Sequence, residues 1–537
     1  MLNTKRFRFR IIVPAFTHYN IYTTIARTTT SVGPIYVATC ANKLLNWDVE
    51  VIDETNCHGR FYPATPDGAL DHERLQKERP ADVVGFYASI SSTVPHIYEL
   101  ARFYKSLGVK TVAGGKHVEH LIEEALSNNI DVVALKEGEI TITELLVAWE
   151  NESDLSDIKG IAFLKDNMSF KTEPRELIQD FDSMPLPDFK LLYYAKMKLY
   201  PIARTRGCNL NCEFCAVKDR TRSCSPQYMM KQVKYLVESQ NARSFFEVSD
   251  HFASNRDDAL EFCRLLAEYQ AEYKIKLSFT VQTRLTDARY PELLEAMQKA
   301  NIDVACIGFE SPIDEDLIAM KKGYLSKDMI EWTNTFHRYG FYIHGMFIFG
   351  YPRIRDIGDI GDNVVPLEKK VEIFKEFIKK SNLDTVQVLL TIPLPGTQLR
   401  ERLAKENRLF PLNKIGWEYY DGQFPIFMPD DGVTPEKLLQ CTQEVMFKFY
   451  SFNNFWKIVN NVLINFPVIV LTSLITIFLG TIKYVTVAFE LWHRRYFRNQ
   501  AFRFGGYFIV KKWVKKFKED DFLEKIRIAK DELIQRE

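Results

Sequence analysis

The stretch TRGCNLNCEFCAV, residues 205–217, gathers three of the nine cysteines of this 537-residue chain into one short loop. Structural zinc sites use four ligands, and neither a histidine nor a fourth cysteine at matching spacing accompanies Cys208, Cys212 and Cys215. A disulfide would leave one of the three thiols over and suits a reducing compartment poorly. Three thiolates on a four-iron cube leave one iron open for an external ligand. The spacing therefore favours a [4Fe-4S] cluster.

Length, charge and cysteine usage limit what the rest of the chain can be. A chain of 537 residues is too long for one hydrophobic core and is expected to form several domains. Its 70 basic and 70 acidic residues cancel, so we expect no nucleic-acid partner. The cysteines form no regular framework, and the opening MLNTKRFRFRIIVPAF, residues 1–16, has the pattern of a first strand rather than of a signal peptide. These features predict a cytoplasmic protein.

Residues 1–145 alternate short apolar runs with helical patterns, which predicts a doubly wound α/β domain with parallel strands. The predicted strands cover residues 9–16, 48–53, 82–89, 110–115 and 131–139. A helical pattern lies at residues 94–108, with Gly108 as its stop. Sheets of this class bind their ligands at the carboxyl ends of the strands.

Several residues follow the ends of these strands, namely Ser89, Gly114, Gly115 and the EGE stretch at 137–139. This set resembles the cobalamin-binding domain that precedes many radical enzymes, which implies that these residues line the groove for the nucleotide tail of B12. The D-x-H-x-x-G loop, whose histidine ligates cobalt in another branch of the family, is missing. His18 lies near the equivalent place, either as an incidental loop histidine or as a cobalt ligand. We therefore expect cobalamin without a firm histidine below the metal.

Residues 196–430 continue the alternation of strands and helices and predict a (β/α) partial barrel, whose active residues lie at the strand ends. The predicted strands cover residues 244–250, 276–284, 303–311, 342–352 and 384–397. The C-x3-C-x2-C motif, with Phe214 before its last cysteine, resembles the signature of the radical S-adenosylmethionine (SAM) superfamily. The resemblance implies that Cys208, Cys212 and Cys215 hold the catalytic cluster, that its open iron binds SAM, and that Phe214 lies against the cofactors.

The same resemblance, carried over position by position, gives six further residues at strand ends a cofactor contact. They are Ser249 and Asp250, beside the methionine amine, and Gln282, Arg284, Glu310 and Ser311, beside ribose or carboxylate. For Arg284 and Glu310 a buried ion pair at the barrel mouth is the alternative. The KKG stretch at 321–323 matches a common loop of the family, and IPLPGT at 392–397 matches a region that helps to close over substrate.

Residues 431–537 are expected to form a helical, membrane-associated region, and residues 146–195, proline-rich at 182–190, a linker between the two preceding domains. Residues 458–482 carry no charge and are long enough to span a bilayer. Residues 483–518 then hold ten Lys or Arg among aromatics, a composition suited to anionic headgroups. Because positive charge and an oxygen-sensitive cluster both belong on the cytoplasmic side, a re-entrant or interfacial monotopic anchor is favoured. A buried helical hairpin over the barrel is the alternative.

A cobalamin domain before a radical SAM barrel resembles the B12-dependent radical SAM family over roughly residues 1–430. The resemblance implies a [4Fe-4S] cluster, SAM and cobalamin as cofactors, and a reductant such as flavodoxin or ferredoxin. It also implies methylation of an unactivated carbon. A 5′-deoxyadenosyl radical abstracts a hydrogen from the substrate, and the carbon radical takes the methyl group of methylcobalamin.

The apolar and basic tail indicates a hydrophobic, lipid-like substrate and a place at the inner face of the cell membrane. In this respect the chain is similar to the hopanoid methylases, especially the C-3 type. Two alternatives stay open. One is an oxidative cyclase with the same cofactors, like the anaerobic cyclase of chlorophyll synthesis, and the other is a membrane-docked cobalamin or iron–sulfur sensor without turnover. A sensor would not consume SAM under reducing conditions, whereas either enzyme would.

Overall fold

The computed structural model describes residues 7–17, 20, 23–58, 61–354, 365–465, 467–468, 470–471 and 498–535. The chain divides into two compact units. The first comprises Met1–Thr283, Glu295–Asp303 and Ile392–Asp421, and the second comprises Arg284–Leu294, Val304–Thr391 and Gly422–Glu537. His18 and most of the apolar run 458–482 lie outside the described residues.

A mixed sheet of eight strands organises the first part of the chain. Its strands are β1 (Phe7–Val13), β2 (Trp47–Asp53), β3 (Val83–Tyr87), β4 (Lys110–Gly114), β5 (Val132–Ala134), β6 (Ile161–Lys165), β7 (Met168–Lys171) and β8 (Leu192–Tyr193). They lie in the order β7-β6-β5-β4-β3-β1-β2-β8. Neighbours pair in parallel, except that β6 is antiparallel to both β5 and β7. The predicted α/β class is confirmed.

Helices connect these strands. They are α1 (Thr23–Ala26), α2 (Val32–Ala41), α3 (His72–Glu78), α4 (Val94–Ser106), α5 (Lys116–His120), α6 (Ile122–Ser127) and α7 (Gly138–Glu150). The helix predicted at 94–108 is confirmed as α4, which begins with a proline in its first turn and buries Ile97, Ala101 and Tyr104 on one face. The chain leaves it at Gly108, whose φ of 77° falls in the region that glycine tolerates best.

Two sequence-based expectations differ from the structure here. The strand predicted at 131–139 ends at Ala134, and the EGE stretch opens helix α7 instead. Residues assigned to a linker add β6, β7 and β8 to the sheet. Asp166 and Asn167 both have positive φ, 52° and 62°, in the two-residue turn between β6 and β7. Such turns match the twist of a hairpin, so this Asp-Asn pair closes it.

The rest of the chain alternates strands and helices before a helical end. The strands are β9 (Tyr200–Ile202), β10 (Thr205–Arg206), β11 (Arg222–Ser223), β12 (Ser244–Glu247), β13 (Ser278–Thr283), β14 (Ile302–Glu310), β15 (Tyr342–Phe349) and β16 (Thr385–Leu390). The helices are α8 (Pro226–Gln240), α9 (Arg256–Tyr273), α10 (Pro291–Lys299), α11 (Asp314–Ala319), α12 (Met329–Arg338), α13 (Leu367–Lys380), α14 (Gln398–Lys405), α15 (Pro435–Phe449), α16 (Asn453–Asn460), α17 (Asn499–Glu519) and α18 (Phe522–Gln535).

The long strands of this part are parallel, as a (β/α) barrel requires. In the first unit β12 pairs with β9 and β13, and in the second unit β15 pairs with β14 and β16. Their side chains alternate between buried and partly exposed, as in β16. The strands predicted at 244–250, 276–284, 303–311 and 342–352 are confirmed to within three residues at each end, and the strand predicted at 384–397 ends early, at Leu390.

Helices α17 and α18 pack within the second unit. Val510, Trp513 and Phe517 of α17 are buried, and the Phe517 and Phe522 rings both contact Phe424. None of the helices in the described ranges has both the length and the apolar character needed to cross a bilayer.

Candidate functional site

The loop that carries the three cysteines is closed by a short antiparallel pair. β10, just before the loop, pairs with β11, just after it, through Thr205 with Ser223 and Arg206 with Arg222. Gly207 starts the loop with a φ of 89°, and a Cβ there would lie 2.5 Å from the carbonyl oxygen of Arg220. Only glycine therefore fits where the two sides of the loop approach each other.

The three cysteines lie at different depths in this loop. Cys212 is buried, whereas Cys208 and Cys215 are half-buried. The backbone N–H of Cys208 donates to the carbonyl of Asp219 at 3.0 Å, and that of Val217 donates to the sulfur of Cys215 at 3.4 Å. Burial raises the pKa of the Cys215 thiol above its ordinary value, which favours the protonated thiol when no ligand is bound.

The donor set suits a cluster better than a single ion. Within the described residues, one set of three His, Cys or carboxylate side chains has its ligand atoms within 4.8 Å of one another. That set lies outside the cysteine loop and includes no cysteine. A single zinc ion would draw its sulfur ligands to within about 4 Å of one another. A four-iron cube takes one thiolate per iron, so Cys208, Cys212 and Cys215 can bind three of its irons and leave the fourth open.

A buried ion pair fixes the loop from behind. The Glu213 carboxylate, between two of the cysteines, accepts hydrogen bonds from Arg402 of α14 at 2.7 and 3.0 Å. The backbone N–H of Leu399 also donates to the Glu213 carbonyl, at 3.2 Å. The segment that follows IPLPGT, residues 392–397, therefore supports the cysteine loop. Sequence patterns did not predict this pair, because its partners lie far apart in the chain.

Phe214 is half-buried within the cysteine loop, and Ser249 is fully buried behind that loop. The Ser249 hydroxyl accepts the backbone N–H groups of Arg204 and Thr205, at 3.1 and 2.8 Å, and donates to the Glu247 carboxylate. Burial raises the pKa of Glu247, which favours its protonated form. These contacts commit the Ser249 hydroxyl to the backbone that leads into the cysteine loop.

Asp250 is exposed, and it contacts the same backbone segment that leads into the cysteine loop. Its carboxylate accepts the N–H of Gly207 at 3.1 Å, one residue before the first cysteine. Desolvation by its surroundings raises the pKa of Asp250 above its ordinary value. A carboxylate in this position gains from a cationic ligand such as an ammonium group.

A cavity of about 370 Å³ lies beside Asp250 within the first unit. One wall is the sheet, with Phe9, Gly85 and Gly114 among its residues, and the opposite wall comes from α2 and α7. Its lining includes Ser89, Gly115, Lys116, Glu119, Lys136, Glu137, Thr205 and Arg206. The inner part is an apolar slot, and the rim is polar and charged. Such a slot fits a flat, largely apolar ring system that carries a polar chain.

The glycine pair of this cavity has a structural cause. Gly115 has a φ of 135°, and a Cβ there would lie 2.6 Å from backbone atoms of Ala88 and Ser89. The ends of β3 and β4 approach too closely for any side chain. At Gly114 a Cβ would meet only Ala134, at 3.6 Å. Ser89, Gly114 and Gly115 are thus brought together as the sequence predicted.

Charged side chains link the cavity rim to the base of the cysteine loop. Glu137 accepts from Arg206 at 2.9 Å and from Arg222 at 3.1 Å, and Arg206 also pairs with Glu139. Although burial opposes its ionisation, these arginines hold the pKa of Glu137 below its ordinary value. The EGE stretch therefore binds arginines of β10 and β11. No local sequence pattern predicts these ion pairs.

A second charge cluster lies on the same rim. Lys136 contacts Glu119 at 2.9 Å and Asp219 at 3.6 Å, and Lys116 contacts the same two carboxylates at 3.4 and 3.8 Å. Since the Asp219 carbonyl also accepts from Cys208, the cluster connects the cavity to the cysteine loop. Lys116 and Lys136 were not predicted as site residues.

Gln282 and Arg284 close the strand β13. The Gln282 carbonyl accepts the N–H of Phe252 at 2.8 Å, and its side chain is half-buried. The N–H of Arg284 donates to Asp287 at 3.0 Å and begins a short 3-10 turn. These two residues fall on either side of a division between the two compact units.

Glu310 and Ser311 end β14 in the second unit. Glu310 has a φ of 61° and pairs with Lys322, of the KKG stretch, at 2.6 Å. Its carboxylate packs over Gly308, where a Cβ would collide with it. The Ser311 hydroxyl donates to Asp316 at 2.8 Å and accepts the N–H of Ile313 at 3.2 Å. Glu310 thus pairs with Lys322, whereas the alternative to its predicted cofactor contact was an ion pair with Arg284.

Two family models match the chain in this order. The model described as a B12 binding domain matches residues 21–146, and that of the Radical SAM superfamily matches residues 202–360. This chain is a B12-dependent radical SAM protein. The family predicted from the cysteine spacing and the strand ends is confirmed, and with it the cofactors: a [4Fe-4S] cluster, SAM and cobalamin.

Curated relatives of this B12-dependent radical SAM protein include methyltransferases. An uncharacterized methyltransferase of Pyrococcus horikoshii is 26% identical over 394 residues, which cover 71% of this chain and 81% of the relative. The hopanoid C-2 methylase of Rhodopseudomonas palustris is 28% identical over 46% of this chain and 45% of its own length. Among solved structures, the cobalamin-dependent SAM radical enzyme OxsB with aqua-cobalamin superimposes with a TM-score of 0.59 at 14% identity, over 95% of this chain and 84% of OxsB. The last likeness establishes the fold.

Proposed function

We propose that this protein is a cobalamin-dependent radical SAM methyltransferase that methylates an unactivated carbon of a hydrophobic, lipid-like substrate. One observation carries this proposal furthest. The cavity of the first unit is lined both by Ser89, Gly114 and Gly115 of the B12 domain and by Thr205 and Asp250, which flank the cysteine loop. Methyl transfer to a carbon radical needs both cofactors close to one substrate atom.

Bound together, the cluster and SAM supply a hydrogen-abstracting radical, and cobalamin supplies the methyl group. The protein contributes the side chains that bind these cofactors. Cys208, Cys212 and Cys215 provide the thiolates, and Asp250 accepts the ammonium of SAM. Ser249 holds the backbone before the loop, so we assign it a positioning role rather than direct contact.

The apolar slot of the cavity would take the nucleotide base of cobalamin. Gly85 and Gly114 leave room on the sheet side, and Ser89 and Lys116 offer polar contacts at the rim. For the remaining predicted residues, Phe214, Gln282, Arg284, Glu310 and Ser311, a cofactor contact stays a prediction from the family resemblance.

The C-terminal helices support a membrane-surface location. Trp456 of α16 is 62% exposed, Leu463 is 69% exposed and Phe508 of α17 is 52% exposed. Phe455 and Phe504 hold α16 and α17 together with ring centroids 5.4 Å apart, so Trp456 and Phe508 belong to one helix pair, and Leu463 lies in the π-helical segment that follows α16. Exposed Lys511, Lys512 and Lys515 lie on the same helix α17. We propose that this surface docks on anionic lipid at the cytoplasmic face.

Vesicle sedimentation tests the docking surface. Wild-type protein should sediment with vesicles of anionic phosphatidylglycerol more than with neutral ones, and the double variant Trp456→Glu, Leu463→Glu should stay in the supernatant. Leu45→Glu is the control, since Leu45 is 79% exposed in the N-terminal domain. Equal sedimentation of all three proteins would place the anchor elsewhere.

The function itself is tested by mass spectrometry of total lipids. Cells with and without this protein are fed methyl-deuterated methionine. A lipid that carries one intact trideuterated methyl group only when the protein is present would establish the methylase and name its substrate. A lipid that is hydroxylated or cyclised without label would instead support the cyclase alternative.

A purified assay separates the remaining candidates. With flavodoxin or ferredoxin as reductant, a methylase should form 5′-deoxyadenosine and S-adenosylhomocysteine in equal amounts, because one SAM provides the radical and another the methyl group. A cyclase should form deoxyadenosine alone, and a sensor neither. The likeness to the C-3 type of hopanoid methylase stays a prediction until the substrate is known.

A further inference from the structure

Three ligand-type side chains meet in the N-terminal domain, outside the cavity described above. Glu54 directly follows β2, His72 is the first residue of α3, and His96 lies in the first turn of α4. The Glu54 carboxylate lies 2.8 Å from Nε2 of His72 and 3.0 Å from Nε2 of His96. These ligand atoms all lie within 4.8 Å of one another.

The cluster is mostly withdrawn from solvent but reachable on one side. The side chains of Glu54 and His72 are 7% and 9% exposed, whereas that of His96 is 38% exposed. A small ion can therefore enter past His96, and the interior of the site is shielded. A carboxylate buried to this extent requires partners for both of its oxygens.

Each of the three side chains is also held in place from behind. The second oxygen of Glu54 also accepts the backbone N–H of Ala15 at 2.7 Å, and the first oxygen contacts both His72 at 2.8 Å and His96 at 3.0 Å. Nδ1 of His72 lies 2.9 Å from the hydroxyl of Tyr104, and Nδ1 of His96 lies 3.8 Å from the carboxylate of Glu99. In metal sites the ring nitrogen that does not bind the ion is oriented by such a partner.

The spacing agrees with that around one ion. Ligand atoms at about 2.1 Å from a common metal lie roughly 3.0–3.4 Å from each other. The observed separations of 2.8 and 3.0 Å are within a few tenths of an ångström of this range. Two imidazoles and one carboxylate, with a further position left for water, form a donor set typical of zinc and of other divalent first-row metals.

We infer that Glu54, His72 and His96 form a binding site for a divalent transition-metal ion, with zinc as the test metal. In the bound form His72 donates its Nδ1 proton to the Tyr104 oxygen, and its Nε2 lone pair faces the ion. The metal replaces the protons that otherwise lie between the carboxylate and the two rings. It joins the end of β2 to the starts of α3 and α4, independently of the iron–sulfur cluster.

The test titrates the cluster-loaded full-length protein with Zn²⁺ against a chromophoric chelator under anaerobic conditions. Loading the cluster first keeps Cys208, Cys212 and Cys215 from binding zinc. We expect about one tight zinc per chain in the wild type and loss of this zinc in His96→Asn and in His72→Asn. His58→Asn is the control, because His58 lies in the same domain and its ring contacts the Arg27 carbonyl rather than Glu54.

A further variant tests Tyr104, whose hydroxyl lies 2.9 Å from Nδ1 of His72. Tyr104→Phe removes only a hydroxyl, and loss of an outer partner typically lowers metal affinity about 10–100-fold. Iron content and cluster absorbance of each variant show whether it has folded. If His72→Asn fails to fold, His96→Asn still decides, since its side chain is partly exposed.

Thermal melts with and without Zn²⁺ complete the experiment. Zinc should raise the melting temperature of the wild type and of His58→Asn but not that of His96→Asn. If zinc neither binds nor stabilises the wild type, while both histidine variants lose stability, the group is a hydrogen-bonded carboxylate and imidazole cluster only. That result, or equal zinc binding by all variants, overturns the inference.

Discussion

The carboxylate of Glu137 lies 2.9 Å from the guanidinium of Arg206, and this pair connects the B12 domain to the first strand beside the cysteine loop. Arg222, on strand β11 just after the loop, contacts both oxygens of Glu137 at 3.1 Å. One carboxylate therefore holds both ends of the loop that carries the three cysteines. The cobalamin groove and the cluster loop share a structural element.

Replacing Glu137 should destabilise both sites together. Glu137→Gln leaves two mostly buried guanidinium groups with weaker partners, and we expect unfolding to become easier by about 1–3 kcal/mol. Glu144→Gln is the matched control, since Glu144 also pairs with an arginine, Arg175, but is 44% exposed. Denaturant unfolding measures the stability, and retention of cobalamin through gel filtration measures the groove. Equal effects of the two substitutions would contradict a joint role.

The same pair predicts a pH dependence. Burial opposes the charge of Glu137, but Arg222 and Arg206 hold its pKa below the ordinary value. A carboxyl with a lowered folded pKa contributes stability that is complete above the unfolded pKa, about 4.3 for Glu, and is lost as the pH falls through the folded pKa. The stability gap between the wild-type sequence and Glu137→Gln should therefore shrink below about pH 4. Denaturant unfolding of cluster-free Cys212→Ala protein, with and without Glu137→Gln, measures this gap without acid damage to a cluster. A gap that stays constant down to pH 3 would refute the assignment.

Removing one cysteine of the loop should abolish the chemistry. Cys212→Ala takes away one of three thiolates, so the brown cluster absorbance and all deoxyadenosine formation should disappear. Cys224→Ala is the control, because Cys224 is also buried but lies outside the motif. Absorbance spectra and chromatography of the SAM products give the two readouts. Cleavage of SAM by the Cys212→Ala protein would contradict the assignment of the cluster to these cysteines.

The two neighbouring glycines of the cavity should respond differently to alanine. Gly115→Ala places a Cβ 2.6 Å from backbone atoms at a φ of 135°, so the loops after β3 and β4 must separate. We expect a loss of stability above about 1 kcal/mol and poor cobalamin retention. Gly114→Ala adds a Cβ at ordinary contact distance and should fold normally. Melting temperatures and bound cobalamin report the difference. Similar values for the two variants would show that the loops are free to move apart.

Part of the site could be predicted from local sequence. The three cysteines lie within one loop, so their spacing alone reports the chemistry of the cluster. Gly115 could be found because glycine after a strand of a parallel sheet marks a close approach, whereas a Cβ at Gly114 would make only ordinary contacts. The hairpin of β6 and β7 also had a local signal, the Asp166-Asn167 pair, although this region was assigned to a linker. Local patterns reveal what neighbouring residues do.

The partners of these residues could not be predicted in the same way. Ser249 matched a position beside the methionine amine, yet its hydroxyl binds the backbone of Arg204 and Thr205. Glu310 matched a position of cofactor contact, with an ion pair to Arg284 as the alternative, and its carboxylate pairs with Lys322. A side chain at a strand end can turn towards several neighbours, and packing of the whole unit decides which one it reaches.

The sequence by itself determined the order of the two cofactor domains, the cysteine motif and the alternation of strands and helices, because each depends on residues close together in the chain. The tertiary structure decided the rest. It joined Glu137 to Arg206, Glu213 to Arg402, and Glu54 to His72 and His96. Ion pairs of this kind form only where the fold brings distant residues within a few ångströms, and no periodicity or spacing in the chain encodes that proximity.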